Sequence, residues 1–310
     1  MIGVRKRVSY FRRLGQDMTK NWILYVMILP VIAYVFIFCY VPMYGVTLAF
    51  KYYKIKDGIL GSQWVGFEYF IRFTRSYSFW HLIKNTLGIS VYSLLVGFPM
   101  PILFALLLNY LRSARLKKTV QLVSYAPYFI SVVVMCGIIK LFFADDGPLN
   151  TLSVLLGGRT VNYLTSPAIY KSLYVWTGIW QGMGWSAIIY ISALSGVDYE
   201  MHEAAIVDGA TKLGRIIHID LPAIKPTIIM LLIMNVGGLM GVGFDKAYLL
   251  QNELNLSSSE ILATYIYKMG LIKSDYSLST AAGLFNTVIN LFLIVSANTI
   301  CKKLADESLF

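Results

Sequence analysis

The stretch Ser195-Gly-Val-Asp198-Tyr-Glu200-Met-His202-Glu203-Ala204-Ala205-Ile-Val-Asp208-Gly209-Ala210-Thr211-Lys-Leu-Gly214-Arg215-Ile-Ile-His218-Ile219-Asp220-Leu221-Pro222 reads as helix, turn, helix. Asp198 suits an N-cap, because its carboxylate can accept from the first free backbone N–H groups. Glu200 and Glu203 then fall near the positive end of the helix dipole. Gly209 suits the left-handed geometry that closes a helix and turns the chain. A second helix is predicted from about Thr211 to Ile219. Pro222 and Pro226 are expected to stop it and to redirect the chain into the next segment, because proline lacks the N–H a helix interior needs. The result is a rigid elbow over about 196–226.

On both sides of this elbow the chain is strongly apolar. It is 57% hydrophobic and 14% charged, with a mean hydropathy of +0.64, against the ~25% charge of an ordinary soluble domain. Apolar runs fall at about Ile23 to Tyr44, Leu87 to Leu108, Val120 to Phe143, Leu173 to Leu194, Thr227 to Leu249 and Ala281 to Ile300. Each can cross a hydrocarbon core of ~30 Å. An all-α membrane protein with six transmembrane helices is therefore expected, and two soluble domains are excluded.

The net charge of +11, from 27 Lys+Arg against 16 Asp+Glu, is read as loop charge that orients the spans, and no nucleic-acid partner is expected from it. Arg5, Lys6, Arg7, Arg12, Arg13 and Lys20 precede the first run, a basic leader taken as the cytoplasmic segment 1–21 ahead of a transmembrane domain at 22–310. The first run exceeds a signal-peptide core, so it is read as an uncleaved anchor. Arg112, Arg115, Lys117, Lys118, Lys212, Arg215, Lys225, Lys302 and Lys303 fall on the same side, against Arg159, Lys171, Lys268 and Lys273 opposite. Both termini and the elbow are thus expected in the cytoplasm, with the chain multi-pass in the cell membrane. The first outer loop, Lys51 to Lys84, interleaves Lys51, Lys54, Lys56, Arg72 and Arg75 with Phe67, Tyr69, Phe70, Phe73, Phe79 and Trp80. It fits either a segment among lipid headgroups or a folded aqueous loop.

Several chemistries find no support. Spans of ion-coupled transporters keep titratable groups at depth. Here Lys140, Asp245 and Lys246 are placed near span ends, and His81, His202 and His218 in loops. Gly209 to Ile216 has the glycine spacing of a Walker A loop, but Arg215 and Ile216 replace the Lys and Ser/Thr that hold phosphate and magnesium. Cys39, Cys136 and Cys301 form no CxxC pair and have no neighbouring His, so neither a metal site nor a disulfide frame is read. Asn255-Leu-Ser257 is a chance-level glycosylation sequon, and no catalytic residues are assigned.

Inside the fourth and fifth runs, Gly178, Gly182, Gly184, Gly237, Gly238, Gly241 and Gly243 allow close helix approach. Gln181, Trp185, Tyr190 and Asn235 stand out against them. Amide groups and rings that face a cavity suit an uncharged polyhydroxylated solute, which needs hydrogen bonds and presents stackable faces; the alternative is that they bond neighbouring helices. The absence of Arg or Lys deep in the runs argues against a strongly anionic solute.

Glu203-Ala204-Ala205, three residues, Gly209, nine residues, then Ile219-x-Leu221-Pro222 matches the EAA loop of ATP-binding-cassette (ABC) importer permeases. The chain resembles their carbohydrate branch, the maltose-permease-like family, over roughly residues 20–310. Trp180-Gln-Gly-Met-Gly184-Trp185, Asp208-Gly209-Ala210, Gly243-Phe244, Phe129-Ile-Ser131, Gly147-Pro-Leu-Asn150 and Ala281-Ala-Gly283-Leu284-Phe285 carry that resemblance. It implies the type I ABC importer permease fold. It also implies a second permease as heterodimer partner, two cytoplasmic ATPase subunits that bind ATP and magnesium, and an extracellular solute-binding protein, with no cofactor in this chain. Glu203, Ala204, Ala205, Asp208, Gly209, Ala210, Leu221 and Pro222 would then form the coupling segment that docks the ATPase, and a sugar or oligosaccharide would be the cargo. Two rival readings are a permease for a non-sugar solute and a membrane scaffold that recruits a cytoplasmic partner without transport.

Overall fold

The computed structural model describes residues 18–305, so the basic residues Arg5 to Arg13 lie outside the described part. Its principal elements are α1 (Trp22–Phe50), a two-residue antiparallel ladder of β1 (Lys51–Tyr52) and β2 (Gln63–Trp64), α2 (Glu68–Thr74), α3 (Phe79–Asn109), α4 (Ala114–Phe129) and α5 (Val132–Phe142). There follow α6 (Pro148–Leu155), α7 (Pro167–Leu194), α8 (Tyr199–Val207), α9 (Lys212–Gly237), α10 (Phe244–Leu250), α11 (Leu262–Tyr267) and α12 (Tyr276–Ala305). The small ladder qualifies the all-α expectation without altering the architecture.

Four of these helices, α1, α3, α9 and α12, are long and apolar enough to cross a membrane, and the bent pair α4–α5 raises the number to as many as five. Helix α7 is 28 residues long, with Thr177, Gln181 and Ser186 among its apolar residues. No residue of Trp22–Tyr40 is buried. A helix apolar on every side and covered by nothing in its own chain is suited to hydrocarbon.

The structure corrects several sequence boundaries. The second run begins at Phe79, not Leu87. Asn85 and Thr86 made that segment look like loop, but both are buried and bonded: Asn85 Nδ2 donates to the carbonyls of Ser257 and Glu260 at 3.0 and 3.1 Å, and Thr86 Oγ1 accepts from the Leu262 amide at 3.0 Å. Tertiary partners thus permit helix where polarity argued against it. The third run is not one rod, because α4 and α5 meet at 102°. α4 tightens to a 3-10 turn over Ala126–Phe129, with Pro127 near its start, and leaves the helix at Ile130; Ser131 starts α5 by accepting from the Val134 amide at 3.3 Å.

The prolines do not end the helix of the elbow. α9 runs through both, from Lys212 to Gly237. A π turn at Ile216–Asp220 comes just before Pro222. Pro222 thus takes one of the first positions of the regular helix that follows, where a missing N–H costs least, and Pro226 lies inside that helix. The fifth run instead breaks at Gly238–Gly243, after which α10 sets off as a separate helix. The Met240 amide in that break donates to Asn290 Oδ1 of α12 at 3.1 Å.

The interior comprises three clusters. One joins the end of α1, α2, the start of α3, α11 and α12 around Phe73, Leu82, Leu262 and Ala281. The second joins α3, α5, α7 and α10 around Ile89, Met135, Tyr170 and Ala247. The third joins α3, α7 and α9 around Ala105, Ala187, Tyr190 and Ile224. The segment Lys51 to Lys84 is folded onto the first cluster, with Tyr69, Phe73 and Phe79 buried and Arg72 3.4 Å from Asp275, while Trp64, Phe67, Tyr77 and Trp80 stay exposed.

Candidate functional site

The elbow and a cavity lie at opposite ends of α9. In the elbow, Asp198 accepts from the Glu200 amide at 3.0 Å. At the far end of α8 the Gly209 amide donates to Ile206 O at 3.0 Å and the Ala210 amide to Ala205 O at 2.8 Å. This double bond pattern is the Schellman closure, and Gly209 holds it at φ +78°. Thr211 then caps α9 by accepting from the Gly214 amide at 3.1 Å.

Nothing in α8 is buried. Glu203, Ala204, Asp208, Gly209 and Ala210 are exposed, Ala205 and Leu221 are half-buried, and Pro222 is exposed. Beside them stand apolar side chains not singled out from the sequence: Met201, Ile206 and Leu213 are exposed, and Val207 is 87% exposed. Their signal was present in the sequence, since a capped amphiphilic segment with apolar residues and no packed face requires a partner.

Beneath the elbow lies a polar cluster also missed from sequence. Asp220, in the π turn, is fully buried. Its Oδ2 accepts from the Tyr110 hydroxyl at 2.6 Å, and its Oδ1 lies 3.4 Å from His202 Nε2. The Arg215 guanidinium sits 5.3 Å from the Tyr110 ring centre. Burial, then the bond to Asp220, push the Tyr110 hydroxyl up to about 12.

The cavity, of about 700 Å³, is walled by α3, α7, α9 and the Gly238–Gly243 break. That is within the usual range for small-molecule sites, ~300–1,000 Å³. Trp185, Tyr190 and Asn235 line it with Ser90, Ser93 and Ser186. The Trp185 ring stacks on Tyr128 at 4.5 Å and meets Phe129 edge-on at 5.5 Å. Tyr190 is buried in the wall and Asn235 is exposed, with its Nδ2 donating to Leu231 O at 2.8 Å. Gln181 is not in this wall: its Nε2 donates to Ile130 O at 3.1 Å, at the α4–α5 bend. The alternative kept open for it, a helix-to-helix bond, is the one observed.

One charge expected near a span end is enclosed by the protein. Lys246 is buried on α10, with Nζ donating to Tyr174 O at 2.8 Å and 4.8 Å from that ring's centre. Tyr174 itself lines the cavity. The three histidines expected in loops are helical, on α3, α8 and α9. Asn255 of the sequon is fully buried, with Nδ2 donating to Leu164 and Leu250 carbonyls. Among the described residues no group of three or more His, Cys, Asp or Glu could hold a metal.

The chain matches a family model described as binding-protein-dependent transport system inner membrane component over residues 97–305. It is 42% identical over 98% of its length to protein LplB of Bacillus subtilis (strain 168), covering 95% of that protein. It is also 42% identical to the polygalacturonan/rhamnogalacturonan transport system permease protein YteP of the same strain, over 96% of this chain and 94% of that one. Among solved structures it is similar to a chain of a bacterial alginate ABC transporter in complex with an alginate pentasaccharide-bound periplasmic protein. There the TM-score is 0.89 and the identity 37%, over 96% of this chain and all of that one. With its long apolar helices and the elbow between α7 and α9, this membrane permease of type I ABC importer fold belongs to the family of binding-protein-dependent transport system inner membrane components.

Proposed function

We propose that the chain is one of two permease subunits of an ABC importer that takes up oligosaccharides, acid sugars included. The observation that carries this is mechanical. An exposed, capped helix, α8, is joined by a glycine turn to α9, and the far end of α9 lines a cavity of about 700 Å³. Movement imposed on α8 from below is thereby delivered to the cavity wall, the kind of rigid-element switching that opens one side of a pathway as the other closes.

In this reading α1, α3, the bent pair α4–α5, α7, α9 and α12 are six spans, and both termini are cytoplasmic. Residues 1–21 are the cytoplasmic segment and 22–310 the permease domain. Glu203, Ala204, Ala205, Asp208, Gly209, Ala210, Leu221 and Pro222 form the ATPase-facing segment. Each of two ATPase subunits binds ATP and magnesium, this chain binds no cofactor, and the second permease differs from it. An extracellular binding protein delivers the solute. Trp185, Tyr190 and Asn235 contact the sugar through ring stacking and amide hydrogen bonds, and Gln181 braces the wall.

Relatives that handle polygalacturonan or alginate support the cargo class, and Lys246 beside Tyr174 removes the electrostatic objection to a carboxylated sugar. The test is tagged purification in mild detergent with mass spectrometry of accompanying proteins. ATPase assays of the recovered complex with its binding protein follow, using oligogalacturonates and maltotriose. Recovery of a second permease and a Walker A ATPase, with hydrolysis stimulated by either oligosaccharide, is expected. Recovery of the chain alone, or a complex stimulated only by a non-sugar solute, would overturn the proposal.

A further inference from the structure

We propose that Asp220, Tyr110 and His202 form a buried latch that locks the elbow to the ends of two spans, making Asp220 a positioning residue for coupling. The proposal rests on the reading of α8 as the ATPase-docking helix and adds how its motion is transmitted.

The turn between α8 and α9 is short and contains Gly209 at φ +78°, a residue with wide backbone freedom. Held by its two backbone links alone, through Ser195–Asp198 to α7 and through Gly209 to α9, α8 could still rotate about the line between them, and part of a push on it would be lost in that rotation. A third point of attachment away from that line is needed for a rigid body, and the latch supplies it. His202 sits in the middle of α8, Asp220 in the π turn of α9, and Tyr110 directly after α3. One carboxylate therefore ties three elements together, through the 2.6 Å bond from Tyr110 to Oδ2 and the 3.4 Å approach of His202 to Oδ1.

The cost of the arrangement also points to a role. Asp220 is 0% exposed, and among the described residues its ion pair is with His202 and with no Lys or Arg. Oδ1 and the buried Nε of Arg215 make no hydrogen bond within the protein. Packing alone would be served better by an apolar residue, since a buried carboxylate with incomplete partners is unfavourable. The π turn that rotates Asp220 inward is itself a feature concentrated at working sites of helices.

The test uses the assembled complex in lipid nanodiscs, with Cys39, Cys136 and Cys301 replaced by alanine. Spin labels are placed at exposed Tyr199 on α8 and exposed Met230 on α9, and their separation is measured by electron–electron double resonance without nucleotide and with ATP and vanadate. One narrow distance, the same in both states, is expected for the parent with its latch intact. His202→Ala and Tyr110→Phe should broaden or split it, and His202→Gln, whose amide N–H can donate to the unbonded Asp220 Oδ1, should restore the narrow form. A distance equally narrow in His202→Ala and Tyr110→Phe, or a parent distance already broad, would overturn the latch. Should no ATPase accompany the chain, the docking reading fails separately, and the same distances measured on the chain alone still decide whether the latch exists.

Discussion

Substituting Gly184 by alanine tests the packing that sets the cavity wall. An added Cβ would lie 2.2 Å from Ser124 O and 2.5 Å from Ser124 C of α4. Ordinary contact begins at 3.4 Å, so α4 and α7 must separate by 3.4 − 2.2 = 1.2 Å at this point. Both sides of the contact are backbone, which cannot rotate away as a side chain can. Overpacking of this kind costs about 1–3 kcal/mol, and a clash with main chain belongs at the upper end. Alanine regains about 1 kcal/mol of helix propensity over glycine, leaving a net loss of about 2 kcal/mol. Gly182, two residues away, has no heavy atom within 4 Å of an added Cβ. There the propensity gain of about 1 kcal/mol stands alone. At about 2 °C per kcal/mol for a chain of this size, Gly184→Ala should melt about 4 °C below the parent and Gly182→Ala up to about 2 °C above it. Thermal unfolding in nanodiscs, followed by tryptophan fluorescence, reads both. Because Trp185 follows directly and stacks on Tyr128 at 4.5 Å, the Gly184 variant should also show altered emission before melting. A Gly184→Ala protein that melts at or above the parent would refute this account of the α4–α7 contact.

Two other predictions concern the elbow and what lies under it. Gly209→Val and Glu203→Lys should leave membrane insertion unchanged while lowering ATPase recovery in pull-downs and cutting uptake, because one strains a left-handed turn and the other reverses a charge on an exposed docking face; normal uptake by both would count against the docking role. Since burial and the Asp220 bond raise Tyr110 from 10.0 to about 12, its contribution to stability is full below pH 10 and is lost as pH rises through about 12. Melting temperature should therefore fall over that window in the parent, and fall less in Tyr110→Phe, as a pH series of thermal melts would show.

Local features of the elbow were legible from residue order alone. Asp198 caps, Gly209 turns and Thr211 starts the next helix because each acts through backbone groups two to five residues away, and such interactions are written in sequence spacing. The long apolar runs were legible for a related reason, since solubility in hydrocarbon is a property of composition. The fate of Pro222 and Pro226 was not, because whether a helix runs on through a proline depends on the turn before it and the packing around it, and residue type alone does not say.

The site divides along the same line. Trp185, Tyr190 and Asn235 could be picked out as ring and amide groups in apolar runs, but Gln181 has the same chemistry and points to Ile130 instead. Only the rotation of α7 against α3 and α4 separates them. Lys246 looked like a charge near a span end and Asp220 drew no reading at all, and the tertiary structure buries both.

The sequence by itself determined that the chain is a bundle of membrane helices with a capped elbow, because hydropathy, helix caps and a glycine turn are local quantities. The tertiary structure alone decided where the spans bend, which polar side chains meet the cavity and which carboxylate ties the elbow down. Those outcomes depend on contacts between residues such as Tyr110 and Asp220, 110 positions apart, and the free energy of such a contact exists only once the helices have packed.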